Sequence, residues 1–262
     1  MEKAIKTTAI LTGKTELQPD IFSFWFKNSD LETSIANTAV PGQFVMVYLK
    51  DKSKVLPRPI SICEVDKKNG LFRLIFRIMG EGTKELSKME VGEYIEILGP
   101  LGNGFLLPQK EEQYLIVGGG IGIFPLLELV KQLHGTKQIV LGYRNKDTFL
   151  VEEFQKYGQV QIATDDGSLG TQGTVIDALK NDTMSYQMIF ACGPLPMLKG
   201  VKQIAKKYNI PAQISMEERM ACGIGACLGC VCKSTELDPH SNVYNKRVCK
   251  DGPVFFADAI EF

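Results

Sequence analysis

Three cysteines at C-x4-C-x2-C spacing, Cys222, Cys227 and Cys230, are followed after 18 intervening residues by Cys249. No other feature constrains this chain as much. The spacing is that of a plant-type [2Fe–2S] site, in which four thiolates hold two irons. The interleaved glycines fit such a loop, because wrapping a cluster needs left-handed backbone angles and close approach of amides to sulfur. Structural zinc is the alternative, but it usually takes two CxxC-like knuckles. Only Cys227 and Cys230 make one here, and Cys249 has no mate beside it. A glycine-rich loop of unliganded thiols is the third reading. Cys232 follows Cys230 after one residue, which is tight for two ligands of one cluster, so Cys249 is the expected fourth ligand.

The chain has 262 residues, 30 basic and 30 acidic side chains, 44% hydrophobic and 23% charged residues. Zero net charge argues against a nucleic-acid partner, and the balance is that of a globular chain able to bury a sizeable core. The most apolar stretch, 114–130, is broken by glycines, Pro125 and Glu128, so no span is expected in a bilayer. The N-terminus lacks an apolar run of signal-peptide type. A cytoplasmic chain is therefore expected, in which thiols persist for metal or redox reasons.

The first hundred residues read as β. Segments 45–49, 60–62 and 71–78 are apolar or alternating, with Phe72, Leu74, Phe76 and Ile78 on one face. Turn residues separate them, and a brief helix is expected near 83–89; the pattern predicts an antiparallel barrel or sandwich. After Gly99-Pro100-Leu101-Gly102-Asn103-Gly104, strands (114–117, 138–141, 159–163, 188–191, 212–215) alternate with helices (121–133, 151–157, 174–180, 195–208). Alternation of this kind predicts a parallel sheet covered by helices. From about Met220 the chain turns rich in Cys and Gly. The expected organisation is multidomain, β plus α/β: a barrel over 1–102, a nucleotide-binding α/β domain over 103–216 and a small cysteine module over 217–262.

Two turns carry phosphate-site chemistry. The strand ending at Val117 runs into Gly118-Gly119-Gly120-Ile121-Gly122 before a helix, with Pro125 expected in its first turn. Amide donors and the helix dipole favour an anion there, although tight strand–helix packing would use the same residues. Cys192-Gly193-Pro194 follows a later strand, and both turns fall on the carboxyl edge where open α/β sheets bind ligands. In the barrel, Leu56-Pro57-Arg58-Pro59-Ile60-Ser61 holds one arginine between two prolines, a rigid fork for phosphate with a hydroxyl beside it. Gly80-Glu81-Gly82-Thr83 is a further candidate anion turn. A surface salt bridge is the plain alternative for Arg58, and a buried small thiol for Cys192. His134 and His240 read as ordinary surface residues, and no side chain is expected to act as a catalytic base.

An iron–sulfur cluster passes one electron at a time, whereas a nicotinamide exchanges a hydride. A chain with both needs a converter, and flavin is the usual one. Here the sequence resembles the ferredoxin–NADP reductase superfamily over nearly its whole length. Arg58-Pro59-Ile60-Ser61 resembles its flavin motif, the 118–125 segment its GGGxGxxP pyridine-nucleotide loop, and Ala191-Cys192-Gly193-Pro194 its CGP segment. The 214–227 segment closely resembles electron-transfer subunits of type B dihydroorotate dehydrogenase.

The resemblance implies that Arg58, Pro59, Ile60, Ser61, Ile75, Phe76, Arg77, Gly82 and Thr83 hold FAD. Gly118, Gly119, Gly120, Ile121, Gly122, Cys192, Gly193 and Pro194 would meet NAD+, and Cys222, Cys227, Cys230 and Cys249 the [2Fe–2S] cluster. It further implies a separate FMN-containing catalytic subunit that oxidises dihydroorotate in pyrimidine biosynthesis, a 2:2 heterotetramer, and flow of electrons through cluster and FAD to NAD+. The competing readings are an NAD(P)H-dependent reductase serving an oxygenase, a ferredoxin or sulfur compounds, and a non-enzymatic protein stapled by its metal. No acid stands clearly after the second nucleotide-domain strand, near Arg144, so the choice between NADH and NADPH rests on the resemblance. Phe255, Phe256 and Phe262 are expected to pack the C-terminal module or a subunit interface.

Overall fold

The computed structural model describes residues 5–29, 34–180, 182–238 and 242–262. Six strands close an antiparallel barrel: β1 (Ile5–Gln18), β2 (Ile21–Asn28), β3 (Phe44–Tyr48), β4 (Arg58–Asp66), β5 (Leu71–Arg77) and β6 (Tyr94–Leu101), in the order β1-β2-β5-β4-β3-β6. The short helices α1 (Ile35–Thr38) and α2 (Glu81–Leu86) lie between strands. Phe24, Phe26, Phe72 and Phe76 fill the barrel with edge and stacked ring contacts at 5.1–6.0 Å, each burial contributing roughly 1.5–3 kcal/mol.

The alternation expected in β5 is only half the pattern. Phe72, Leu74 and Phe76 do point into the barrel core, but Arg73 and Ile75 are buried as well, and Ile78 lies past the strand's end. The cause is a second layer. Ile75 and Cys63 pack into the core of the following domain, so both faces of β5 are covered.

That second layer is a seven-stranded sheet. It comprises β7 (Gln113–Gly119), β8 (Thr136–Tyr143), β9 (Gln159–Thr164), β10 (Thr171–Gln172), β11 (Met188–Cys192), β12 (Ala212–Ser215) and a late strand, Val254–Phe256. The order is β10-β9-β8-β7-β11-β12 with Val254–Phe256 at the edge; that edge strand alone runs antiparallel. The helices α3 (Leu126–Gln132), α4 (Val151–Gln155), α5 (Val175–Ala178) and α6 (Leu195–Tyr208) connect these strands. The core strands β7 and β11 are nearly continuous in buried apolar residues, as strands covered on both faces require.

The cysteine-rich segment adds β13 (Val231–Lys233) and β14 (Asn245–Arg247), which pair with each other; β15 (Val254–Phe256) is the sheet's edge strand. The C-terminal residues thus interleave with both larger units. The Asn103 amide donates to the Gly252 carbonyl at 2.6 Å. Phe255 is buried beside β12, while Phe256 is 41% exposed. Phe262 packs against the same core, beneath the Lys202 ammonium. Among the described residues no helix is long and apolar enough to cross a membrane.

Candidate functional site

One cleft of about 250 Å³ collects residues from all three segments. From the barrel come Arg58, Pro59, Ile60 and Ser61 at the start of β4, Ile75, Phe76 and Arg77 at the end of β5, and Thr83 in α2. Ile121 and Gly122 of the glycine turn and Cys192 face them, as do Ser215, Met216, Glu217, Glu218 and Met220. The sheet elements reach the cleft at the carboxyl edge of the parallel strands, where open sheets bind ligands.

Gly82 sits behind Arg58 rather than in the cleft wall. A side chain there would lie 2.6 Å from Arg58 Nη2 and 2.7 Å from its Cζ. The guanidinium also donates to the Leu56 carbonyl. Thr83 closes the adjoining turn: its Oγ1 accepts from the Met79 amide at 2.8 Å and donates to the Gly80 carbonyl at 3.2 Å.

Gly118, Gly119, Gly120, Gly193 and Pro194 do not line the cleft themselves. Instead the glycines let two turns touch. A Cβ on Gly122 would stand 2.5 Å from the Cys192 carbonyl, and one on Gly119 would meet Met197 Sδ at 2.7 Å. Gly120 has φ +55° with open space beside it. The helix begins later than the sequence indicates. A 3-10 turn takes up Gly120–Ile123, and α3 starts at Leu126 with Pro125 as its N-cap. The missing amide of Pro125 therefore falls at the cap rather than within the first turn.

Cys192 is a half-buried thiol at the cleft wall, pushed up to about 12, chiefly by desolvation and further by Glu217, against a Ser215 hydrogen bond that lowers it. Glu217, an exposed residue of the cleft, is raised from the usual carboxylate range by partial desolvation and by neighbouring Glu218. These two acids, with Ser215 and Met220, are cleft residues that motif reading missed. The available signal was their position, at the end of the last parallel strand or just beyond it. Past β9, the amides of Asp165 and Asp166 bond to the carbonyls of Tyr143 and Arg144. His134 is exposed, and His240 lies outside the described residues.

Two residues beyond Met220 the cysteine loop begins. Gly223 and Gly225 take the left-handed angles anticipated for it, φ +72° and +83°, as does Leu228 at +56°. Four amide-to-sulfur hydrogen bonds end on the four expected ligands. Gly225 donates to Cys249 at 3.1 Å, Ala226 to Cys222 at 3.3 Å, Gly229 to Cys227 at 3.5 Å, and Cys249 to Cys230 at 3.3 Å. Burial pushes the Cys222 thiol up, but the amides of Ile224 and Cys227, the Cys227 thiol and the Ala226 amide together outweigh it and hold the group at about 6. Cys249 is raised by burial and by Cys230.

Cys232 differs from the four. It lies in β13 between exposed Val231 and Lys233 with its side chain buried, and burial pushes it up to about 11, with Glu218 adding to the rise. Among the described residues no three His, Cys, Asp or Glu side chains are arranged to hold a single metal ion. Four thiols furnished with amide donors, on a left-handed glycine loop, fit a two-iron cluster, which spreads its ligands wider than one tetrahedral ion does.

Comparison with known proteins adds independent findings. The family model for the iron–sulfur cluster binding domain of dihydroorotate dehydrogenase B matches residues 217–261, and that for an oxidoreductase FAD-binding domain matches residues 8–105. The dihydroorotate dehydrogenase B (NAD(+)) electron transfer subunit of Caldanaerobacter subterraneus subsp. tengcongensis is 44% identical over 223 residues, 85% of this chain and 87% of the relative. The subunit of the same name from Bacillus cereus strain B4264 is 40% identical over 257 residues, 95% and 96% of the two chains. A solved NADH-dependent reduced ferredoxin–NADP oxidoreductase superposes with a TM-score of 0.85 at 28% identity, covering 100% of this chain and 91% of that one. The ferredoxin reductase of carbazole 1,9a-dioxygenase, at 18% identity and a TM-score of 0.66 over 79% of this chain and 66% of its own, shares the fold.

Proposed function

The chain belongs to the family of dihydroorotate dehydrogenase B (NAD+) electron-transfer subunits, and from that premise we propose that it relays electrons from a separate dihydroorotate-oxidising subunit to NAD+. FAD and a [2Fe–2S] cluster are its cofactors, with NAD+ as co-substrate. The cluster passes single electrons, and FAD, which accepts one or two, converts them into the hydride that NAD+ takes up. The observation that carries the reading is the shared cleft: barrel, glycine turn and the segment leading to Cys222 all line one space.

Each part of the chain has a task. Arg58, backed by Gly82 and set beside Thr83, offers the flavin pyrophosphate a fixed bidentate cation. Pro59, Ile60, Ile75, Phe76 and Arg77 form the wall for the ring system, and Ser61 supplies a hydroxyl. The contact of Gly122 with Cys192 closes the floor against which a nicotinamide would lie, and the buried side chains there exclude water. Cys222, Cys227, Cys230 and Cys249 hold the cluster. The donor is the FMN of the catalytic subunit, the assembly a 2:2 heterotetramer and the compartment the reducing cytoplasm.

The test is expression with and without the catalytic subunit, anaerobic purification, a visible spectrum and identification of the released flavins. FAD and a [2Fe–2S] spectrum from this chain are expected, with FMN and dihydroorotate-dependent NAD+ reduction appearing only with the partner. A colourless protein would overturn the redox reading. The similarity to an NADH-dependent reduced ferredoxin–NADP oxidoreductase favours a second reading, an NAD(P)H-linked reductase serving another acceptor. NADH-dependent ferredoxin reduction without any response to dihydroorotate would select it.

A further inference from the structure

Arg247 ends β14, two residues before Cys249, and its guanidinium has two separate duties. Nε and Nη2 donate to Asp251 Oδ2 and Oδ1 at 3.1 and 3.3 Å, and the Arg247 amide adds a 2.7 Å bond to the same carboxylate. The remaining terminal nitrogen, Nη1, donates to the Gly225 carbonyl at 3.3 Å. Gly225 belongs to the loop between Cys222 and Cys227, and its own amide makes the shortest of the four amide–sulfur bonds, 3.1 Å to Cys249. Its peptides are therefore gripped at both ends, carbonyl by Arg247 and amide by the Cys249 sulfur. The side chain of Lys250 packs against the same residue, so a Cβ on Gly225 would meet Lys250 Cδ at 2.5 Å.

We infer that Arg247 is a positioning residue for the cluster: it orients Gly225 so that the Gly225 N–H is aimed at the Cys249 sulfur, and so raises the reduction potential. The inference rests on the iron–sulfur reading of the four cysteines. Reduction adds negative charge to the cluster, and hydrogen bonds to the sulfurs stabilise the more negative state. The positive charge of Arg247 is largely offset by its ion pair with Asp251, at 3.1 Å, with a weaker attraction from Asp238. Geometry, rather than charge, is then the lever. Only a planar fork can serve Asp251 and Gly225 together; a lysine ammonium is a point charge on a flexible stem.

Two variants of the cofactor-loaded chain test this by potentiometric titration followed by electron paramagnetic resonance. Arg247→Met, which removes both charge and donors, is expected to retain iron, sulfide and FAD. Its cluster potential should fall below that of the natural chain, and the g-values of the reduced cluster should shift. Arg247→Lys, which keeps the charge but not the fork, is expected to group with Arg247→Met. An unchanged potential in Arg247→Met overturns the inference, and so does a natural potential in Arg247→Lys, which would mean that charge alone acts. Should Arg247→Met fail to assemble a cluster, Arg247→Lys decides the matter by itself. A natural chain with no cluster would remove the iron–sulfur premise and the inference with it, whereas a cluster with an unmoved potential would remove the inference alone.

Discussion

Cys232 and Cys249 are both buried thiols in one small module, and their surroundings assign them different roles. Cys249 accepts the Gly225 amide and donates its own amide to Cys230, whereas Cys232 is the inward residue of a short strand. Cys249→Ser is therefore expected to bleach the visible cluster spectrum, and Cys232→Ser to leave it nearly intact; the reverse pattern would exchange the two assignments. Gly82 makes a second residue-scale case. Its φ is not left-handed, so alanine fits the backbone, but the added Cβ would collide with the flexible end of Arg58. Gly82→Ala should fold normally, displace the guanidinium and lower FAD retention much as Arg58→Ala does. The double variant should then be no worse than either single one, because both remove the same interaction; additive losses of bound flavin would separate the two residues. The cysteines and glycines were legible in the sequence because short loops encode their geometry in local spacing. Arg247 was not, because the Gly225 carbonyl it holds lies 22 positions away in another loop.

Elements were legible where local pattern and burial agree. The parallel strands appear within a residue or two of their expected positions, and α6 spans Leu195–Tyr208 as its periodicity indicates. The barrel strands β1, β2 and β6 give a weaker signal. β1 is 14 residues long yet buries only Ala9 and Leu11, so its pairing with β2 and β6 is a matter of barrel closure rather than of apolar pattern. The small helix α5 shows how a local device defines an element too short to be stable by propensity. Thr174 and Asp177 form a reciprocal capping box. The Lys180 ion pair, then the Thr174 amide and hydroxyl, hold the Asp177 carboxyl well below the usual carboxylate range. A lowered folded value means that this contribution is fully present above the unfolded carboxylate range, near pH 4, and is lost as pH falls through the folded value. Asp177→Asn should thus lower thermal stability at pH 7, with the gap to the natural chain narrowing below about pH 4. A difference that did not change with pH would mean that ionisation of Asp177 plays no part.

On the scale of the whole molecule, a polar clasp on the outer wall of the barrel joins it to the sheet domain. Arg73, 7% exposed, donates to Ser23 at 2.8 Å within the barrel and to both oxygens of Glu153 on α4 at 2.6 and 3.3 Å. Next to it, Lys131 on α3 meets Glu64 at 3.0 Å, and the buried Glu128 carboxylate accepts the Val65 amide at 2.9 Å. The clasp explains why β5 is buried on both faces, which no strand periodicity could reveal, since the covering residues lie some 80 positions away. It also bears on function. Ile75, Phe76 and Arg77 continue from Arg73 into the cleft, and Phe124 and Pro125 lead from it into α3. The ionic wall therefore helps to set the distance between the barrel and the glycine turn. Arg73 Nη1 also meets Glu64 at 3.4 Å, so Arg73→Met leaves the partly exposed Glu153 and Glu64 carboxylates without its fork, a loss of about 1–3 kcal/mol. A lowering of Tm by several degrees follows at roughly 2–4 °C per kcal/mol for a chain of this size. Because the clasp spans both sides of the cleft, the KM for NADH in a ferricyanide assay should rise too. Arg73→Lys should recover only part of either effect, since an ammonium cannot bridge Ser23 and both oxygens of Glu153. A lowered Tm with an unchanged KM would confine the clasp to stability, and full recovery by lysine would show that the positive charge, rather than the planar fork, joins the two domains.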